Sequence, residues 1–291
     1  MNLFCFGLGY SAQHFIKAYG EAFDTIAGTA RSHYAVEQIG VPRLAGYMFD
    51  AERADAEIPA ALARADVLLV SIPPDASVDP ALGKFGRVLS QLPQRLKIVY
   101  LSTIGVYGDR AGEWVDETRV PVPKQPRSIA RLRAEKAWQA LARDNRKSIQ
   151  ILRLAGIYGP GRNALLQLKS GTAQRIIKPD QVFNRIHVAD IGTSIAAALA
   201  YDGDSDVWNV SDDEPAPPQD VIAYAAKLMG VAPPPEEDFA TAPLSPMARS
   251  FYEENKRAAN GKLKEGLGVE LAYPTYREGL KALWDAGEGR G

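Results

Sequence analysis

Gly7-Leu8-Gly9-Tyr10-Ser11-Ala12 follows an apolar run over residues 2–6 and opens a segment where Ala12, Phe15, Ile16 and Tyr19 recur at helical spacing. The hexapeptide fits G-x-G-x-x-G/A, and it stands between a predicted strand and a predicted helix, where that pattern has a physical meaning. Gly7 permits the tight turn. Gly9 puts no side chain in the way of a pyrophosphate, and Ala12 lets helix and strand pack closely. The free N–H groups and the positive dipole end of the helix then face the phosphates. The six residues predict a dinucleotide site; the competing reading is a turn that is merely rich in glycine.

Outward from this turn, short apolar runs alternate with helical patterns. Residues 25–29, 43–48, 67–72, 97–101 and 149–154 read as strands. Residues 54–65 and 129–143 read as helices, the second carrying Ala130, Ala134, Ala137, Trp138 and Leu141 on one face. Strands that are apolar on both faces and separated by helices predict an α/β fold: a doubly wound, parallel, Rossmann-type sheet with right-handed crossovers. The last third changes texture. Prolines cluster at Pro215, Pro217 and Pro218, at Pro233 to Pro235, and at Pro243 and Pro246, with helical patterns at 220–229 and 277–284. Two domains are expected. A nucleotide-binding one covers 1–158, with elements returning from about 183–210, and a smaller, loop-rich substrate-side domain covers 159–291.

Composition narrows the function. The chain has 291 residues, 34 Lys plus Arg and 35 Asp plus Glu, for a net charge of −1. That balance excludes a basic nucleic-acid binder and any charge-driven case for a membrane surface. A hydrophobic fraction of 46% and a charged fraction of 24% are those of a soluble globular protein. Cys5 is the single cysteine, so an intramolecular disulfide is impossible and a buried core thiol is the reading of choice. His14, His33 and His187 are too scattered to suggest a metal set. The first residues lack a basic stretch and break at Gly7 and Gly9, unlike a signal peptide, and no apolar run approaches the ~20 residues of a membrane span. A cytoplasmic location is expected.

The second strand bears on the cofactor. An NAD binder places Asp or Glu about 20 residues beyond the glycines, to hold the ribose 2′-OH. Here the strand ends Gly28-Thr29-Ala30-Arg31-Ser32-His33, with no acid. Arg31 offers a charge-assisted fork for a 2′-phosphate, and Ser32 a further donor. NADP is therefore expected in preference to NAD, against the reading that Arg31 is only solvated. Asp50, after the third strand, could accept from the adenine amino group or cap a helix. Ser71, Ile72 and Pro73, at the end of the fourth strand, are expected to line the cofactor, because ligands sit outside the carboxyl ends of such strands.

Four further segments carry a family resemblance. Leu101-Ser102-Thr103-Ile104-Gly105-Val106-Tyr107-Gly108 resembles an S-[ST]-x-x-V-Y-G segment. Leu152 to Gly161 resembles L-R-x-x-x-x-Y-G-P-G, and Arg185 to Asp190 an H-V-x-D element. Val207-Trp208-Asn209-Val210 resembles the strand that follows. With the glycine turn, these are similar to the extended short-chain dehydrogenase/reductase superfamily, the NAD(P)-dependent epimerase/dehydratase group. Trp114-Val115-Asp116-Glu117, Lys256 to Leu263 and Leu271 to Leu280 resemble its atypical, YeeZ-like branch. The resemblance implies an oxidoreductase or epimerase/dehydratase acting on a small molecule of the sugar-nucleotide type, and a homodimer built through sheet-flanking helices. It places Ser102 and Ile157 at the cofactor, and Thr103 on a substrate hydroxyl or carbonyl.

In active members a Tyr-x-x-x-Lys pair opens the helix before the sixth strand, the lysine lowering the pKa of a phenol that otherwise titrates near 10. Aligning residues 127–135 with that helix puts Ile129 at the Tyr position and Arg133 at the Lys position. Isoleucine carries no proton. Arg133 could hold ribose hydroxyls but cannot donate a proton at working pH. Tyr252-x-x-x-Lys256 matches the spacing, but it lies in the proline-rich third and reads as surface packing. Tyr107 is a candidate substitute acid/base, or a packed aromatic. Arg162 and Arg185 could meet a substrate phosphate, or form exposed ion pairs. His187 is a pocket residue or a structural histidine. Two functions follow: an NADP-dependent enzyme that works without the usual pair, or an NADP-binding sensor or scaffold with little or no turnover.

Overall fold

The computed structural model describes residues 1–290 apart from 51 and 77. Seven strands form one parallel sheet: β1 (Asn2–Phe6), β2 (Thr25–Ala30), β3 (Leu44–Met48), β4 (Val67–Val70), β5 (Lys97–Thr103), β6 (Ser148–Leu154) and β7 (Asp206–Val210). Their spatial order is β7-β6-β5-β4-β1-β2-β3. The chain winds one way from β1 through β3, then restarts beside β1 with β4 and winds the other way. That reversal makes the doubly wound, Rossmann-type fold and leaves a crevice above the carboxyl ends of β1 and β4.

The near-continuous apolar strands are explained by burial on both faces. In β1, Leu3 and Cys5 enter one core while Phe4 and Phe6 enter the other. The first core is covered by the helices Tyr10–Tyr19 and Val188–Ala200, which also pack on each other. The second is covered by Ile58–Leu62, Pro80–Gln91 and Pro126–Asp144. Phe6 stacks on Phe85 with ring centroids 5.6 Å apart, tying the middle of the sheet to the second layer. Each such side chain, fully buried, contributes about 1.5–3 kcal/mol. Cys5 is a fully buried thiol whose pKa burial pushes up, so it is inert packing.

Some boundaries differ from the sequence reading, for local reasons. The helix expected over 54–65 forms only at Ile58–Leu62, because the Asp55 carboxylate accepts from Met48 N–H at 2.8 Å and holds the chain back on β3. The run expected as strand 67–72 leaves the sheet after Val70: both Ser71 N–H and Ile72 N–H donate to Phe6 O, bending the chain toward the glycine turn. The helix expected from 129 begins at Pro126, whose fixed φ suits a first helical residue.

A third apolar cluster lies beyond the carboxyl edge of the sheet. Tyr158, Leu165, Val221, Ile222, Tyr276 and Leu280 pack there, brought by the helices Pro218–Met229 and Tyr276–Asp285. Thr275 and Glu278 form a capping box that starts the last helix. Three short parallel pairs stitch this part to the sheet: Gly156–Tyr158 with Arg185–His187, Arg175–Ile177 with Glu236–Asp238, and Trp114–Val115 with Arg257–Ala258. The last pair sets Lys256 beside Gly108, a few residues past the end of β5. Among the described residues, no helix is long and apolar enough to cross a membrane, and no three His, Cys, Asp or Glu side chains converge as a metal site.

Candidate functional site

The glycine turn sits at the crevice. Gly7 has φ of +90°, and a Cβ there would lie 2.4 Å from Ile72 Cγ2 and 2.9 Å from Ile72 N, so only glycine fits. Its N–H donates to Thr29 Oγ1 at 3.0 Å, and Leu8 N–H donates to Thr29 O at 2.8 Å. Gly9 differs: its backbone is extended, and the nearest atom to a Cβ would be Ser71 Oγ at 3.9 Å. No side chain caps the helix that Gly9 opens, and its first turn holds no acid. Ser11 and Ala12 are buried behind it, and Tyr10 donates to Pro160 O at 2.9 Å. An open space faced by uncapped N–H groups fits a pyrophosphate.

Arg31 and Ser32 lie exposed just past β2, and Ser32 Oγ caps the short helix His33–Glu37 by accepting from Ala35 N–H at 3.1 Å. The Asp50 carboxylate closes a local turn instead of standing free for an adenine. Arg53 donates to it through its backbone N–H at 2.8 Å and its guanidinium at 2.6 Å. Those bonds hold the carboxyl below its usual range.

Beside the crevice opens a cavity of about 780 Å³. Thr103, Ile157, Arg162 and Arg185 line it, as do Arg127, Ser128, Arg131, Glu254 and Lys256. The helix Pro126–Asp144 meets it with a face other than the one expected. Ile129 is 40% exposed, and Arg133 donates to Ala76 O at 2.6 Å, away from the cavity. The pair at four-residue spacing on the cavity side is Arg127 and Arg131, two residues earlier. Arg131 NH1 donates to Leu101 O at 3.0 Å, Tyr100 Oη at 3.2 Å and Ile72 O at 3.3 Å, so it spans the exits of β4 and β5. The signal for the correct register was present: Ala130, Ala134 and Trp138 form the sheet-facing stripe, and the residues bordering it on one side are 127, 128, 131 and 135.

Thr103 is at the end of β5, where its Oγ1 accepts from Gly105 N–H at 3.1 Å. A Cβ on Gly105 would lie 2.8 Å from Ser128 Oγ and 3.4 Å from Thr103 Oγ1, so the two hydroxyls converge on one side of Gly105. Ser102 and Tyr107 lie behind the cavity wall. Ser102 Oγ donates to Glu135, onto which Arg153 forks at 3.1 and 2.8 Å. Tyr107 is fully buried; its hydroxyl donates to Asn209 Oδ1 at 2.8 Å and accepts from Arg153 at 2.9 Å. Burial pushes its phenol up. Tyr107 therefore does not face the cavity as an acid/base.

Arg162 stacks loosely on Tyr10, 5.9 Å from the ring centroid. Arg185 is set among backbone oxygens, donating to Phe183 O at 2.8 Å and Ala216 O at 3.1 Å. Among the described residues it forms no ion pair. His187 is not on the cavity. Its Nδ1 accepts from Ala189 N–H at 3.2 Å and caps the helix Val188–Ala200, while Nε2 is buried without a partner. An accepting Nδ1 places the proton of the neutral ring on Nε2. Lys256, expected at the surface, is 6% exposed and faces the cavity. Its ammonium donates to Gly108 O at 2.8 Å and Glu254 Oε2 at 2.7 Å, and burial lowers its pKa. Tyr252 is buried too, packed on Phe183 and Phe239.

Burial pushes the His187 pKa down to about 4. The unfolded chain then binds more protons than the folded one between about pH 6.5 and 4. Stability should fall as pH drops through that window, by up to about 3 kcal/mol. His187→Asn keeps a capping oxygen and removes the titration. Urea unfolding at pH 7 and pH 4.5 should show a smaller difference between the two pH values in the variant.

Comparison with known proteins agrees with the geometry. The model of the NAD dependent epimerase/dehydratase family matches residues 49–211. Protein YeeZ of Escherichia coli K12 is 28% identical over 197 residues, 64% of this chain and 62% of that protein. The chain spans less than two thirds of the length of the curated relatives it matches. A functionally unknown conserved protein from Silicibacter pomeroyi DSS superposes with a TM-score of 0.89 at 44% identity, covering 98% of this chain and 99% of that one. The UDP-glucuronic acid 4-epimerase of Bacillus cereus, in complex with UDP-glucuronic acid and NAD, shares the fold at a TM-score of 0.75 and 19% identity, covering 98% of each chain.

Proposed function

The chain belongs to the NAD dependent epimerase/dehydratase family, and on that premise we propose that it binds NADP(H) on the glycine turn and acts on a hydroxyl or carbonyl of a sugar-nucleotide-like substrate. The observation that carries this reading is the charge of the cavity. Arg127, Arg131, Arg162, Arg185 and Lys256 line it, although the whole chain has a net charge of −1. Its one lining carboxylate, Glu254, is paired with Lys256. Guanidinium forks of this kind suit a diphosphate. The Bacillus cereus epimerase, which holds a sugar nucleotide beside NAD, supports pairing the two ligands on this fold.

A bound nicotinamide would supply or accept the hydride. The chain's own residues would do the rest. Thr103 and Ser128 would orient the substrate oxygen, and Arg131 would keep positive charge beside the nicotinamide ribose. Arg127 replaces the usual phenol and has no proton to give at neutral pH. Proton movement then falls to water or to Lys256, whose ammonium is already eased toward release by burial. That same substitution favours the second reading, a nucleotide-binding sensor or scaffold without turnover.

Fluorescence titration with NADPH and NADH tests the cofactor. NADPH should bind more tightly, and Arg31→Ala should cost it about 10- to 100-fold while leaving NADH nearly unchanged. Unchanged NADPH affinity in that variant would remove Arg31 from the site. Hydride transfer between bound NADP(H) and any member of a sugar-nucleotide panel, from a substrate hydroxyl to the oxidised cofactor or from the reduced cofactor to a carbonyl, would exclude the sensor reading.

A further inference from the structure

Two arginines, Arg127 and Arg131, stand together on the cavity wall, Arg131 feeling the charge of Asp79 without an ion pair to it. Arg127 and Arg131 are one helical turn apart on one face, about 5–6 Å between their Cβ atoms. Arg131 has committed only its NH1, to Leu101 O, Tyr100 Oη and Ile72 O. Arg127 sits over the Phe251 ring, its Cζ 4.0 Å from the centroid, and donates through NH2 to Ser250 Oγ at 3.3 Å. The side chain lines the cavity. No ion pair engages either residue among the described residues, and Glu254 is taken by Lys256 at 2.7 Å. Arg162 and Arg185 come from another wall, the segment beyond β6, and would be the guanidinium groups nearest a diphosphate on that side.

The helix pair lines the same cavity as Thr103 and Ser128, whose hydroxyls are the groups that would meet the reacting oxygen. A carboxylate there would pair with guanidinium donors that no ion pair engages among the described residues, whereas a neutral sugar ring would leave that charge-assisted pairing unmade. We propose that the substrate carries a carboxylate next to its reacting hydroxyl or carbonyl, and that Arg127 is the residue that selects for it. The assignment rests on the sugar-nucleotide reading above and narrows it. The cation–π contact with Phe251 holds the Arg127 guanidinium on this wall, and its fork can meet a carboxylate through two N–H groups, which a lysine could not reproduce.

Calorimetric titration of the NADPH-loaded protein with UDP-glucuronate and with UDP-glucose tests the assignment. The carboxylate-bearing probe should bind about tenfold more tightly. Arg127→Leu, at an exposed helical position where leucine is a good helix former, should bring that ratio close to one. Arg127→Lys should restore only part of it. Arg162→Leu should weaken both probes alike. Equal binding of the two by the unaltered protein, or a preference that survives Arg127→Leu, overturns the carboxylate assignment and leaves the sugar-nucleotide reading standing. Binding of neither probe overturns that reading and the assignment with it.

Discussion

Gly9→Val should abolish saturable binding of NADPH, a loss of more than about 100-fold, while the protein stays folded and only slightly less stable. The two halves of this expectation have separate causes. Gly9 is the residue before the first helix, and its backbone is extended, with φ of −83° and ψ of −174°. Valine adopts that conformation readily. The new Cβ would meet no clash, Ser71 Oγ lying at an ordinary van der Waals distance of 3.9 Å. Valine is a poor residue to precede a helix, and that should cost about 1 kcal/mol at most. The space it fills, however, is where a pyrophosphate would reach the uncapped N–H groups. Gly7→Ala should behave in the opposite way. Its φ of +90° and the approach of Ile72 N to 2.9 Å make any side chain a backbone problem. It should lose several kcal/mol of stability, the left-handed conformation alone accounting for about 1–2 kcal/mol. Parallel urea unfolding and NADPH titration of the two variants separate the roles. Undiminished NADPH binding by Gly9→Val would mean that no cofactor lies on this turn.

The difference between these two glycines explains what the sequence could disclose. The strand, glycine turn and helix are contiguous, and their residues act on one another over fewer than twenty positions. Their pattern is therefore written locally. The same is true of the doubly buried strands: Leu3 to Phe6 are apolar on both faces because both faces are covered. The cavity wall is different. Whether Arg127 or Ile129 faces the substrate depends on how one helix is rolled on the sheet. Motif spacing is blind to that, because every residue has a partner four positions on. Only the stripe of Ala130, Ala134 and Trp138 sets the roll. Lys256 was harder still. Its partner Gly108 O lies 148 residues away in sequence, and the pairing of Arg257–Ala258 with Trp114–Val115 delivers it there. A two-residue strand gives almost no sequence signal. Ser102 and Tyr107 were legible as a motif, but the motif did not say that their hydroxyls turn inward.

What they turn toward yields the second large effect: Arg153→Met should destabilise the protein by about 3–5 kcal/mol at neutral pH. Arg153 forks onto Glu135 and donates to Tyr107 Oη, and the ion pair is almost completely buried. With Arg153 gone, Glu135 keeps only the Ser102 hydroxyl as a donor in a dry interior. An unpaired buried carboxyl has a raised pKa, so the folded variant binds a proton more readily than the unfolded chain does. Its stability is then lost as pH rises through that raised value, and the penalty should shrink on going from pH 7.5 to pH 5. Glu135→Leu added to Arg153→Met should recover most of the loss, since apolar residues of similar size often replace a buried pair at little cost. Urea unfolding of the single and double variants at both pH values measures each term; a penalty that is independent of pH would mean that Glu135 is not the group left unpaired. The pair lies one helical turn from Arg131 and ties the helix to β6 beside β5, whose last residues are Ser102 and Thr103. A double variant that regains stability but binds UDP-glucuronate less tightly than the unaltered protein would show that the buried charges hold the helix in the roll that presents Arg127 and Arg131, a positional role that stability alone does not report.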